Sequence, residues 1–117
     1  MRHLKFRAWD GEEMHYAENY YDLCQMFGRL HQEHSPLMQY TGLKDWHGVE
    51  VYEGDILTGM RHKPIGSRAK VVFDSRLLTF VAINDLGEVY YIAQEGEDIE
   101  ILGNIYSDPE LLESDHA

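Results

Sequence analysis

Four shortages in this sequence each exclude a class of protein. It has one cysteine, Cys24, in 117 residues, so no disulfide framework can form within the chain. It has no apolar run near the ~20 residues that a bilayer-spanning helix needs. The N-terminus, MRHLKFRAWD, lacks the apolar segment of a secretory signal. Phosphate-binding loops, the G-x-S-x-G elbow and the dinucleotide-binding glycine pattern are missing too, which argues against those enzyme classes and their cofactors. These absences together predict a cytoplasmic protein without a membrane anchor or a cofactor.

What is present describes an ordinary globular chain. Hydrophobic residues make up 44% and charged residues 26%, values that argue against extensive disorder. The length fits one domain able to fold without metals or disulfides. No composition shift or internal repeat divides it, so residues 1–117 read as a single domain. The net charge of −11 is unevenly spread. Residues 1–7 carry +3 and residues 56–73 carry +4, which leaves −18 elsewhere, and no lysine or arginine follows Asp85. An acidic field of this kind repels phosphate backbones at long range.

The pattern is that of short strands. Leu4, Phe6 and Ala8 alternate with His3, Lys5 and Arg7, as on a half-buried strand. Asp10-Gly11 supplies a turn, and Met14 to Ala17 the returning arm. The period then changes. Leu23, Met26, Phe27 and Leu30 fall on one helical face over residues 20–32, with Asn19 as N-cap and Ser35-Pro36 as terminator. Strands are expected at 37–40, around 49–57, at 71–73, 77–83, 89–93 and 99–105. Asp108-Pro109 opens a last short helical turn, and residues 113–117 are expected to fray. The fold class is mainly β, a β-rich α+β arrangement. It is a small bent sheet or SH3-like barrel with one packed helix.

Three stretches stand out as a set: KFRAWD at 5–10, MQYTGLKDWHGVEVYEGDIL at 38–57 and GNIYSDPELL at 103–112. Together they resemble the YopX-like family of bacteriophage and prophage proteins. The middle stretch is the specific one. The residues that carry the resemblance include Tyr40, Gly42, Tyr52, Gly54, Asp55, Gly103 and Asn104, which read as a structural motif. The likeness covers nearly the whole chain and weakens at 14–36, which reads as a helical insert, and at 59–68. It implies a phage or prophage accessory protein, assembly into multi-subunit forms and no established catalytic residue set. The YEGDI element is also similar to the start of small SH3-like barrels, which bears on fold and not on function.

Several residues could carry chemistry. Glu53 and Asp55 would share a strand face, as an acid–base pair requires, but Gly54 between them favours a turn. His31 and His34 have a zinc-compatible helical spacing, with Cys24 two turns before, yet no fourth ligand is in register. Cys24 beside Leu23 and Met26 reads as a half-buried hydrophobe and not a nucleophile. No catalytic and no metal residues are therefore assigned, and the chain is read as a non-enzyme.

The basic residues Arg61, Lys63, Arg68 and Lys70 mark region 61–76 as a possible grip for single-stranded nucleic acid, opposed by the acidic remainder. Duplex DNA is not an expected partner. Trp9, Trp46 and Tyr52, all beside turns, are interface candidates. The expectation is a protein–protein interaction module that forms homo-oligomers and meets other phage or host proteins.

Overall fold

The computed structural model describes residues 4–19, 21–25, 36–60, 66–92 and 98–113. Among the described residues, nine strands and two helical segments run in the order β1 (Phe6–Trp9), β2 (Met14–Ala17), α1 (residues 21–25), β3 (Leu37–Lys44), β4 (Glu50–Tyr52), β5 (Asp55–Thr58), β6 (Ala69–Asp74), β7 (Thr79–Ile83), β8 (Val89–Tyr90), β9 (Glu100–Asn104) and α2 (Glu110–Glu113). The strands form two antiparallel sheets. One has the order β2-β1-β3-β4; the other has the order β8-β7-β6-β5-β9. The architecture is mainly β, as the alternating pattern requires. The curled sheet forms a half-barrel beside a second sheet and does not close into a full barrel.

Local chemistry sets the strand limits. The β1–β2 turn is held by Asp10, whose Oδ1 accepts the N–H groups of Glu12 and Glu13 at 2.7 and 2.8 Å. Asn19 caps α1 as its residue type predicts, accepting the Asp22 N–H at 2.8 Å. Only the first part of the expected helix lies within the described residues, and there Leu23 packs on Ala8 and Ala17. β3 runs four residues past its expected end, because Gly42 takes a positive φ of 90°. The register with β4 shifts between Tyr40 and Lys44, so the chain continues through a bulge.

β7 begins two residues later than the pattern suggests. Asp74 Oδ1 accepts the N–H groups of Arg76 and Leu77, and Leu78 sits at φ 56°. Both leucines are therefore turn residues, exposed at 50% and 77%.

One core joins both sheets. Val51 of β4 clusters with Leu57, Val71, Phe80 and Ala82 from the larger sheet and with Ile99, just before β9. Each fully buried aliphatic side chain of this kind contributes roughly 1.5–3 kcal/mol. Ile56 and Val81 point to the opposite face by alternation, and they too are fully buried. The larger sheet is thus covered on both sides along its middle strands. Arg68 reaches back to donate to the Leu111 carbonyl of α2 at 3.1 Å.

Candidate functional site: a cleft at the joint between two sheets

The chain passes from one sheet to the other through Tyr52-Glu53-Gly54-Asp55. Gly54 adopts φ +87°, a conformation that calls for glycine, and a Cβ there would stand 3.0 Å from Met38 Sδ. The turn is bonded on every side. Tyr52 N–H donates to Asp55 Oδ2 at 2.8 Å. Glu53 Oε1 accepts the Gln39 N–H at 2.8 Å. Gly54 N–H donates to the Val71 carbonyl, and Ile105 N–H donates to the Gly54 carbonyl, both at 2.9 Å.

Arg7 completes the joint from β1. Its Nη2 donates to Asp55 Oδ1 at 2.8 Å and to the Glu53 carbonyl at 3.0 Å. Its guanidinium lies 4.9 Å from the Tyr52 ring centroid and 6.0 Å from that of Tyr16. Both ionic side chains are 4% exposed. Burial raises the Asp55 carboxyl above the ordinary aspartate value; the Arg7 charge and the Tyr52 N–H pull it back only in part.

The alternation of β1 suggested a solvent-facing row containing Lys5 and Arg7. The structure corrects this: Arg7 is buried, because the sheet curls and turns that row inward. Sequence reading missed Arg7 for this reason. The available signal was an aspartate in a tight turn that needed a cationic partner. Asp45 was missed in the same way. It is 6% exposed and accepts N–H groups from His47, Val49 and Ile101, tying the β3–β4 turn to β9.

The three stretches singled out in the sequence meet here. Trp9 stacks on Tyr106 with centroids 6.0 Å apart and planes 17° from parallel. Arg7 holds Asp55, and Ile105 holds Gly54. Asn104 Oδ1 accepts the N–H groups of Tyr106 and Ser107. A side chain at Gly103 would collide with the carboxylate of Asp108, so that position also demands glycine.

Beside the joint lies an open cleft of about 420 Å³. Its floor is Arg7, Tyr52 and Asp55, and its walls include Tyr16, Glu18, Glu50 and Asn104. β4 and β9, the last strands of their sheets, flank it. Lys5 pairs with Glu50 at 2.7 Å on the rim. The Tyr52 hydroxyl is buried without a hydrogen-bond partner, and so is Arg7 Nε. The Tyr52 hydroxyl is pushed up to about 12, first by burial and then by Glu50, Tyr16 and Glu18.

The other candidates fall elsewhere. The carboxylates of Glu53 and Asp55 are each committed to a different structural bond, the first to Gln39 N–H and the second to Arg7 and Tyr52 N–H. His31, His34, Arg61 and Lys63 lie outside the described residues. Cys24 is exposed rather than half-buried, because Leu23 takes the inward face of α1. Arg68, just before β6, and Lys70 on β6 are half-buried. Of the interface candidates, Trp9 is half-buried and Tyr52 is buried in the cleft. Trp46 is 61% exposed, with His47 at 3.9 Å.

Asp10, Glu13 and His15 place three potential metal ligands within 4.8 Å of one another. The first of these is already the acceptor of the β1–β2 turn. No helix among the described residues is long and apolar enough to cross a membrane.

Comparison with known proteins agrees with this architecture. The family model of the YopX protein matches residues 18–113. The match includes residues 18–36, most of the stretch read as an insert, and leaves out KFRAWD. No curated protein matches the chain. The crystal structure of protein EF1440 from Enterococcus faecalis is similar in fold, with a TM-score of 0.55 and 24% identity, over 93% of this chain and 97% of that one.

Proposed function

The chain belongs to the YopX family, and from that premise we propose that it is a phage or prophage accessory protein working in the bacterial cytoplasm. In this reading it acts by protein contact and self-association and not by catalysis. The polar residues of its most distinctive motif support the reading, since Arg7, Glu53 and Asp55 are bonded to one another and to backbone groups.

The observation that carries it is the tip of the β6–β7 hairpin. Phe73, Leu77 and Leu78 are 46%, 50% and 77% exposed there. Three large apolar side chains on one tip form a surface suited to a partner. The occupant favoured by this reading is a second copy of the chain.

The test is light scattering across a concentration series at moderate salt. Wild type is expected to exceed the monomer mass, and the Leu77→Asp/Leu78→Asp variant to return to monomer without loss of folding. A strictly monomeric wild type at the highest concentration would overturn the proposal.

A further inference from the structure

We propose that the outer edge of β2 receives an extended, lysine- or arginine-bearing segment of another protein as an added antiparallel strand. This surface differs from the hairpin tip of the self-association reading, and neither depends on the other.

The comparison of sheet edges singles out β2. Among the described residues the two sheets end on β2, β4, β8 and β9. Exposed edges are normally blunted, and here aspartates do it. On β4, Tyr52 N–H donates to Asp55 Oδ2. On β9, Ile101 N–H donates to Asp45 Oδ2 and Asn104 N–H to Asp108 Oδ2. β8 is only two residues long.

β2 has no such protection. Asp10 N–H donates to the Glu13 carbonyl at 3.1 Å, and β1 pairs Ala8 with His15 and Phe6 with Ala17. By alternation, His15 and Ala17 turn their backbone groups toward β1, and Met14 and Tyr16 turn theirs outward. Those outward N–H and C=O groups have no partner among the described residues. The described part of α1 covers a face of the sheet, where Leu23 packs on Ala8 and Ala17. Tyr16, 51% exposed, supplies apolar area beside the edge for an arriving strand to cover.

Charge selects the occupant. Residues 10–18 hold Asp10, Glu12, Glu13 and Glu18 and no lysine or arginine. A second copy would pair Met14 of one chain with Tyr16 of the other. That register sets His15 against its own counterpart and brings Glu12 of each copy toward Glu18 of the other. Like charges placed opposite one another destabilise a strand pair. A basic segment meets the same acids with the opposite sign and gains main-chain hydrogen bonds from the edge.

The experiment is amide hydrogen exchange and an NMR titration on the full chain. In the free protein the Met14 and Tyr16 amides are expected to exchange faster than those of His15 and Ala17. The probe is a short capped peptide that alternates lysine with valine. Its controls are the same peptide with glutamate for lysine, and the lysine peptide with every backbone nitrogen methylated. The lysine peptide is expected to shift the Met14 and Tyr16 amides saturably and to slow their exchange. The glutamate peptide is expected to leave them unmoved. Methylation keeps the charge but removes the donors, and is expected to weaken binding about two- to tenfold for each hydrogen bond lost.

Glu12→Gln/Glu13→Gln changes only exposed carboxylates, since the turn uses their N–H groups. It is expected to keep the fold and weaken binding by up to about fivefold per residue, the span of an exposed ion pair. The proposal is overturned if Met14 and Tyr16 are as protected as His15 and Ala17 in the free chain, or if the lysine peptide leaves them unmoved. It is equally overturned if the glutamate or methylated peptide binds as well, or if these amides shift with protein concentration alone, which would place a second copy on the edge.

Discussion

Leu78 holds a backbone conformation that suits glycine or asparagine. Its φ of 56° costs an L-residue roughly 1–2 kcal/mol, and its side chain is 77% exposed, so burial returns little. Strain of this kind tends to collect where a surface has a task. Replacing Leu78 with Asn is therefore expected to leave stability unchanged or raise it by up to about 1 kcal/mol, while weakening self-association. Urea denaturation and light scattering on the same samples check both halves. A destabilised variant that still associates normally would contradict this account of the tip. The sequence shows a leucine pair after Ser75-Arg76 but does not show which of the two takes the left-handed turn. That depends on Asp74 bonding the two N–H groups that follow it. Arg7 was hidden for a related reason, since its burial depends on Asp55, 48 residues away.

At the scale of elements, hairpins were legible where a side chain fixes the turn. Asp10-Gly11 announced the β1–β2 turn, and the structure shows why. Bonds from the Glu13 and Glu12 N–H groups and from His15 hold the Asp10 carboxyl down at about 2, against an ordinary 3.8. A depressed carboxylate contributes stability that is present above 3.8 and lost as pH falls through about 2. The β1–β2 turn should therefore loosen in that acid window. The Glu12 and Glu13 amide resonances are expected to titrate with a midpoint near 2. A midpoint at the ordinary aspartate value would show that the turn bonds do not persist in solution. Strand lengths were less legible, because β3 continues through a bulge at Gly42 and β7 loses its first two residues to a turn. Both outcomes are set by cross-strand register, to which a period-two pattern is blind.

For the whole molecule, the mainly β class and the family followed from alternation and from three motifs, but the joining of two sheets did not. Whether a curled sheet closes into a barrel depends on how the β4 and β9 edges approach, and there the β3–β4 turn is bonded to the β9 segment by Trp46 N–H to the Ile99 carbonyl and by Ile101 N–H to Asp45. No local pattern encodes those contacts. Arg7 and Asp55, bonded at 2.8 Å, join β1 of one sheet to β5 of the other, and the two sheets are expected to unfold as one cooperative unit. Removing one member of a buried pair strands the other charge and costs about 3–5 kcal/mol. The direct measurement is native-state hydrogen exchange on Asp55→Asn beside wild type. An equal loss of protection is expected for the amides of β3 in one sheet and β6 in the other. Loss confined to β3, with β6 as protected as in wild type, would contradict it.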